Sequence, residues 1–428
     1  MVKTKKSGKF WLSLIIFSLV GQIAWVMENM YLNVFIYDRF RASAENISLM
    51  VGASSVAATV TTLLIGALSD KLGKRKLFIC GGYLCWGISI WSFALINILS
   101  PAASMGAAAV SLGVSLTVTA DCIMTFFGSA ANDAAFNAWL TDSTDETNRG
   151  AAEGINAMMP MLAILVVFGG AMFLNPDSPG YWNIIFGVIG TVVFLLGLLG
   201  FFIIQEPKVD VSDNGHYFRN LLYGFRPRVI GENKKLYITL LAYAVFGISI
   251  QIFMPYLILY YEVALGMTDY VLIFAPAIVL AAAFTFFYGR VYDRKGFAVS
   301  IFPALVLLLT GYDVLYFFRA TVPVFVGTLL MLCGYLSGMA VFGAMLRDNT
   351  PKNKAGMFQG QRIIAQVLIP GIVGPAIGAK VLENAKTIQN GDGTVSFIPN
   401  CNIFMAAFVA GVVIFPALLP LLKKNSKS

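Results

Sequence analysis

The chain alternates long apolar runs with short polar breaks, and the runs are too long and too continuous for anything but membrane-crossing helices. A helix that spans a bilayer needs about 20 consecutive apolar residues. Twelve such runs can be drawn, at 10–36, 46–68, 77–99, 110–140, 151–174, 181–204, 236–261, 268–288, 298–318, 322–345, 356–381 and 399–422. A spanning barrel would instead show short segments in which apolar and polar positions alternate. The predicted fold is an all-α polytopic membrane protein with about twelve transmembrane helices. The stretch "SMGAAAVSLGVSLTVTA" leaves the start of the fourth run open between helix and loop.

The polar breaks repeat themselves. "LTDSTDETNRGAAEG" begins at Leu140 and "LRDNTPKNKAGMFQG" at Leu346, so that Asp142, Thr144, Gly150 and Gly154 fall on Asp348, Thr350, Gly356 and Gly360 with identical spacing. A second pair follows the second and eighth runs. "GALSDKLGKRK" places Gly66, Asp70 and Gly73 where "GRVYDRKG" places Gly289, Asp293 and Gly296. Both pairs map the first six runs onto the last six, which predicts two parallel repeats related by an axis along the membrane normal. The longest polar interval, Gln205 to Lys235, separates them. The expected organisation is a six-helix bundle over 1–204, a cytoplasmic linker over 205–235 and a second six-helix bundle over 236–428. Within the linker, "YFRNLLYGFRPRV" mixes aromatics with arginines and fits either a short interfacial helix or coil.

Composition agrees with the pattern. The 428 residues are 58% hydrophobic and only 12% charged, with a mean hydropathy of +0.77, whereas soluble domains carry about 25% charged residues. The net charge of +8 is a topology signal. If both termini are cytoplasmic, the inner breaks hold most of the basic residues, only Arg39, Arg41, Arg319, Lys380 and Lys386 lie outside, and Arg362 falls within a run. The positive-inside rule then expects an even helix count with both ends inside. Basic residues that flank spans rather than form one stripe give no reason to invoke nucleic acid. Lys3, Lys5, Lys6 and Lys9 precede a first run that is long enough to span and has no small-residue cleavage site at its end, so it is expected to stay as the first helix.

Candidate enzyme chemistry is sparse. Cys80, Cys85, Cys122, Cys333 and Cys401 lie in or beside apolar runs without paired metal spacing and read as small apolar fillers. His216 is the only histidine and sits in the polar middle segment, so no Ser-His-Asp or Cys-His set can assemble inside the membrane. No phosphate-binding G-x-x-x-x-G-K-[ST] loop occurs. Neither a cofactor nor a metal is expected.

"GALSDKLGKRK" resembles the loop signature of the major facilitator superfamily: a glycine, an aspartate four residues on, then a glycine and a basic cluster. The resemblance in topology covers essentially the whole chain. It implies a cytoplasmic gate in which Asp70 and Asp293, beside Gly66, Gly73, Arg75 and Arg294, pair with helix ends or basic residues of the neighbouring half. Asp142, Arg149, Arg347 and Asp348 serve the same gate in this reading. "NDAAFNAWLTDSTDETNRG" further resembles the glycoside-pentoside-hexuronide:cation symporters, the melibiose-carrier group, in which an Asp-x-x-Phe on helix four contributes to sugar and cation binding; here that match is Asp133 with Phe136. The group's acidic residues on helix two are missing, with Ala58 at one such place, and Gln366 or Arg362 stands near the position of its helix-eleven lysine.

In the facilitator fold helices one, four, seven and ten line the central cavity, and that directs attention to the polar residues they carry. An ionisable group in hydrocarbon costs about 2.5–3.5 kcal/mol on insertion scales. The chain has few: Glu28, Asp121, Asp133, Asp313 and Arg362. On the first run Gln22, Trp25, Asn29 and Asn33 step by three and four, with Glu28 at the border of their face. On the fourth, Asp121, Thr125, Ser129, Asn132, Asp133 and Asn137 form a similar band. Interhelical hydrogen bonding is the alternative reading of these residues, worth about 0.6–2 kcal/mol in model systems. Tyr243, Gln251, Tyr256, Tyr260 and Tyr335 add hydroxyl, amide and ring faces suited to a polar solute, although tyrosine also populates membrane interfaces, the alternative for Tyr260. Gly371, Gly374, Pro375 and Gly378 read as close packing or a bend, and Asp313 as structural.

The expected function is secondary transport of a small polar solute, a sugar or glycoside, by alternating access, coupled to a proton or sodium ion. The rival readings are an exporter or flippase-like carrier of lipophilic drugs or lysolipids on the same fold, and a non-transporting membrane sensor or scaffold. The expected partners are a small-molecule substrate and the lipid bilayer, with a monomer in the bacterial plasma membrane.

Overall fold

The computed structural model describes residues 7–99, 107–144, 148–176, 178–207, 223–267, 269–350, 358–390 and 394–422. Among them are twelve helices long and apolar enough to cross a membrane: α1 (Gly8–Phe40), α2 (Ala44–Leu72), α3 (Arg75–Ile98), α4 (Val110–Asp142), α5 (Gly154–Ala171), α6 (Tyr181–Ile203), α7 (Lys234–Ala264), α8 (Val271–Tyr292), α9 (Arg294–Phe317), α10 (Thr321–Asn349), α11 (Gly360–Leu382) and α12 (Asn402–Leu421). The all-helical membrane fold expected from the sequence is the fold observed. "LGVSLTVTA" belongs to α4, which settles the open start of that run as helix.

The ends differ from the hydropathy pattern for a physical reason. Polar residues continue a helix when its end stands clear of the apolar layer, and hydropathy does not register them. The "GRVYDRKG" break is the clearest case: α8 and α9 are almost continuous through it, and only Gly296 leaves helical geometry, at φ 76°. Its repeat partner Gly73 turns the α2–α3 corner at φ 62°. Glycine takes this left-handed conformation without the steric cost other residues meet, so the duplicated glycines are explained by the corners they make. A further departure from the all-α expectation is a small antiparallel ribbon between α11 and α12, β1 (Thr387–Gln389) with β2 (Val395–Phe397), paired Thr387 to Phe397.

The chain separates into two compact units, one of Met1–Ala42 with Ala53–Tyr217 and the other of Ser43–Gly52 with Phe218–Ser428. In the first unit α3 and α6 approach closely at glycines. A Cβ on Gly197 would lie 2.7 Å from the Leu84 backbone nitrogen, and one on Gly87 2.6 Å from that of Phe194. Phe35 fills the space between α1, α3 and α6 with edge contacts to Phe93, Trp182 and Phe186. In the second unit Gly374 and Gly378 bring α11 onto α7, as the "PGIVGPAIG" stretch suggested, and Gly334 brings α10 onto α9 beside Leu308. Many large apolar side chains stay on the outside, Phe202 at 80% and Val322 at 73% exposed among them. A soluble protein does not leave so much apolar surface in water; a bilayer covers it.

Of the linker, residues 208–222, His216 among them, lie outside the described residues. Beyond them Tyr223–Phe225 makes a tight turn and Pro227–Glu232 a short helix. The phrases 145–147 and 351–357 and the side chains of Arg149 and Asp293 also lie outside the described residues.

Replacing Gly197 by Leu forces a side chain into the α3 backbone, and overpacking of this kind costs about 1–3 kcal/mol. Gly187, on the same helix, has open space where its Cβ would be. The expected outcome is a midpoint of thermal unfolding several degrees lower for Gly197→Leu in detergent and nearly unchanged for Gly187→Leu.

Candidate functional site

Both polar bands sit where their helices widen. Residues Met27–Tyr31 of α1 and Ser129–Phe136 of α4 form π-helical turns, and α7 and α11 carry similar turns at Tyr260–Ala264 and Ile364–Leu368. Such turns are uncommon and are frequent at functional sites. They also break the spacing arithmetic. Asn29 is exposed, whereas Asn33, four residues on, is 1% exposed with its amide donated to the Asn29 carbonyl at 2.8 Å. The stripe Gln22, Trp25, Asn29, Asn33 therefore does not remain one open face: the first two are half-buried, Asn29 is open and Asn33 is inside.

Asn132 lies inside a hydrogen-bonded chain. Its Nδ2 donates to the Tyr83 hydroxyl at 2.8 Å, Tyr83 donates to the Phe17 carbonyl at 2.7 Å, and the Trp25 indole donates to Asn132 Oδ1 at 3.4 Å. The chain ties α1, α3 and α4 together, which is the interhelical reading of Asn132. Asn137 stays exposed, with Nδ2 donated to the Asp133 carbonyl at 3.0 Å.

The three carboxylates differ in setting. Asp133 is half-buried and accepts from the Ser129 hydroxyl at 3.0 Å. Glu28 is 7% exposed and accepts from Thr125 at 2.8 Å through Oε1, while its Oε2 is buried and meets no donor among the described residues. Asp121 is 2% exposed, has the Ser54 side chain in its surroundings, and keeps Oδ1 buried with no partner among the described residues. Asp121 and Asp133 both bear electrostatically on Glu28, and no salt bridge to any of the three acids occurs among the described residues. Ser54 was not singled out in the sequence; its signal was the hydroxyl-rich face of "GASSVAATVTT" on α2.

In the second unit Gln251, Tyr335, Arg362 and Gln366 are half-buried on α7, α10 and α11. Tyr335 stacks on Phe246, and the Arg362 Nε is buried without a hydrogen-bond partner among the described residues. Tyr256 is fully buried and its hydroxyl is spent on the Ala44 and Pro375 carbonyls, at 2.9 and 3.2 Å, which places it in packing rather than on an open face. Tyr260, for which an interface was the alternative, is 1% exposed and donates to the Leu315 carbonyl.

The corner of the first unit is ionic. Arg75, 5% exposed at its side chain, meets Asp70 at 2.5 Å, Asp142 at 2.9 Å and the Ser69 hydroxyl at 2.6 Å. Glu206 accepts from the Arg75 and Lys76 amides, a carboxylate on the N-terminus of α3. Within its own unit the partner of Asp70 is Arg75. At the equivalent corner of the second unit Asp348 accepts from the Tyr292 hydroxyl and Arg294 is exposed. By the repeat spacing Arg75 falls on Ala298, so the second corner has no counterpart of that cation. Gly66 is half-buried on α2, one turn before Asp70. No group of three or more His, Cys, Asp or Glu able to hold a metal occurs among the described residues.

The sequence matches the Major Facilitator Superfamily over residues 10–375. No curated protein matches the sequence. Among solved structures of similar fold are a D-xylose-proton symporter (TM-score 0.75, 13% identity, 97% of this chain and 98% of that one), the nucleoside transporter NupG in a mutant form (0.72, 13%, 96% and 99%) and a bacterial homologue of the human lysosomal transporter Spinster (0.70, 14%, 96% and 96%). At these identities the likeness shows the fold.

Arg75→Gln keeps hydrogen-bonding capacity but leaves Asp70 and Asp142 without their cation. Both aspartates are partly exposed, so the loss is expected to be about 1–3 kcal/mol, below the 3–5 kcal/mol of a fully buried pair. Thermal unfolding of the purified variant measures it, and an unchanged midpoint would show that the corner is not held by this arginine.

Proposed function

The chain belongs to the Major Facilitator Superfamily, and we propose on that premise that it is a secondary active transporter carrying a small polar solute, a sugar or glycoside, by alternating access coupled to a proton. The observation that carries this reading is the set of acids in the first unit. Glu28, Asp121 and Asp133 sit in helices long and apolar enough to cross a membrane, and no salt bridge to any of them occurs among the described residues; carboxylates in hydrocarbon are costly unless a cation or proton neutralises them. Asn29 and Asn137 are exposed, each donating one amide N–H to the carbonyl four residues back in its own helix, and what remains of their amides offers the donor and acceptor chemistry that hydroxyl-rich solutes require. In the second unit Gln251, Tyr335, Arg362 and Gln366 are the residues assigned to the solute, with Tyr335 and Phe246 as a stacked ring surface.

A proton is favoured over sodium as coupling ion because Ala58 stands where the melibiose-carrier group places an acid. Resemblance to that group rests on Asp133 and Phe136, and here Phe136 stacks on Trp139 within the first unit, so Asp133 is the part of the motif assigned to transport. We assign the duplicated corners, Asp70, Asp142, Asp293 and Asp348 with their glycines and basic neighbours, to the cytoplasmic gate, and both termini to the cytoplasmic side of a bacterial plasma membrane with the protein as a monomer. One observation favours the second reading, a carrier of lipophilic compounds. A cleft of about 310 Å³ in the first unit is lined almost wholly by apolar side chains, among them Ile23, Val166, Leu174, Ile185 and Val192.

Uptake into proteoliposomes decides between these readings. A panel of labelled pentoses, hexoses and glycosides, with and without an imposed proton or sodium gradient, should reveal accumulation driven by the proton gradient; accumulation of none of them, with movement of labelled lysolipid instead, would favour the second reading. Asp133→Asn is expected to abolish gradient-driven accumulation and to retain part of the counterflow. Unchanged accumulation in that variant would remove Asp133 from the mechanism.

A further inference from the structure

The end of the linker is not a loose tether. Tyr237, three residues inside α7, donates its hydroxyl to the Gly224 carbonyl. Phe358, two residues before α11, is fully buried, with ring contacts to Tyr223 at 6.2 Å and to Tyr237 at 6.4 Å. Gly224 sits so close to the Gln361 amide that a Cβ there would collide with it. Val229 is 4% exposed, and the Asn233 amide donates to its carbonyl at 2.9 Å. The turn Tyr223–Phe225 and the short helix Pro227–Glu232 are thus fastened to the ends of two helices long enough to cross a membrane. That fixes their depth at the level where lipid headgroups begin.

The outward side of this fastened segment is both apolar and basic. Phe225 is 46% and Ile230 39% exposed. Among and beside them stand Arg226, Arg228, Lys234 and Lys235, all exposed. Glu232 is the one acid in residues 223–235, and Arg228 holds it at 2.9 Å. No salt bridge to Arg226, Lys234 or Lys235 occurs among the described residues. The Arg226 guanidinium lies 5.6 Å above the Tyr223 ring, which steadies it without neutralising it. Large apolar side chains interspersed with unpaired cations suit neither bulk water nor the hydrocarbon layer. They suit the boundary between the two, where apolar groups enter the acyl region and cations meet anionic headgroups.

We propose that residues 223–235 form a fixed binding surface for anionic phospholipid. Phe225 and Ile230 enter the acyl boundary, and Arg226, Lys234 and Lys235 engage headgroup phosphates of the leaflet at that end of α7. A guanidinium pairs with two phosphate oxygens at once, and an ammonium acts as a point charge. The ligand is the bilayer rather than a soluble anion, because a free phosphate offers no cover to Phe225 and Ile230. The surface goes beyond the transport reading and is the same whichever solute is carried.

The test uses the full-length protein with Ile230→Cys as its single cysteine, carrying a polarity-sensitive fluorophore, in nanodiscs of phosphatidylcholine with increasing phosphatidylglycerol. The expected result is a blue shift that grows with phosphatidylglycerol, is quenched by brominated acyl chains and shrinks as salt screens the surface. One basic side chain near an anionic surface strengthens binding about fivefold. Arg226→Gln should therefore raise the phosphatidylglycerol content at half the shift by about that factor, and joint replacement of Arg226, Lys234 and Lys235 by Gln should remove the shift. If the triple variant does not fold, the salt dependence of the parent decides. Equal emission with and without phosphatidylglycerol, no quenching by brominated lipid, or the same shift from inorganic phosphate in phosphatidylcholine discs would each overturn the proposal. No solute is needed, so any of these failures leaves the transport reading untouched.

Discussion

The absence of water from the bilayer core is the constraint on which everything else in this protein depends. Backbone groups must be satisfied within each segment, and so the chain is helical wherever it crosses. Polar side chains inside must find one another, as in the run from Trp25 through Asn132 and Tyr83 to the Phe17 carbonyl. Elsewhere among the described residues buried polar atoms stay unmatched, carboxylate oxygens of Glu28 and Asp121 and the Trp86 indole nitrogen among them. In water an unmatched carboxylate oxygen is simply hydrated; buried, it is costly.

The same constraint separates side chains that are spent in packing from side chains that keep some open surface. Asn132 and Tyr256 looked alike in sequence to Asn137 and Tyr335, as polar groups on cavity-type helices. The first two have spent their hydrogen-bonding groups on α1, α3 and main-chain carbonyls, while the second two keep open surface. The corners show a related divergence. Asp142 and Asp348 occupy identical places in the repeated phrase, and one is held by a guanidinium and the other by a phenol. A duplicated backbone frame, fixed by Gly73 and Gly296, has thus been kept while the chemistry on it has diverged.

Much of the fold could be read from the sequence because its signals are long or discrete. Runs of about 20 apolar residues leave little alternative, and the glycine corners announced themselves by repetition. Helix ends were less legible, since "GRVYDRKG" is polar and yet nearly all helical. The site was legible in residue types and not in geometry. Glu28, Asp121 and Asp133 stand out as rare charges, but the π turns at Met27–Tyr31 and Ser129–Phe136 have no sequence signature and shift the face on which Asn33 falls. Ser54 had only the hydroxyl-rich face of α2 as its signal, which does not tell one serine from its neighbours. Arg75 was visible only as one of a basic cluster, and its double engagement with Asp70 and Asp142 is a property of the folded corner.

If one six-helix plan is written twice in parallel, both corners open to the same side of the membrane. The direct measurement is labelling by a membrane-impermeant thiol reagent of single cysteines replacing the exposed Lys74 and Lys295 beside the corner glycines, in a variant lacking Cys80, Cys85, Cys122, Cys333 and Cys401, using right-side-out and inverted vesicles. Both positions are predicted to react only from the cytoplasmic face. Reaction of the two from opposite faces would contradict the parallel duplication and, with it, the carrier built on it.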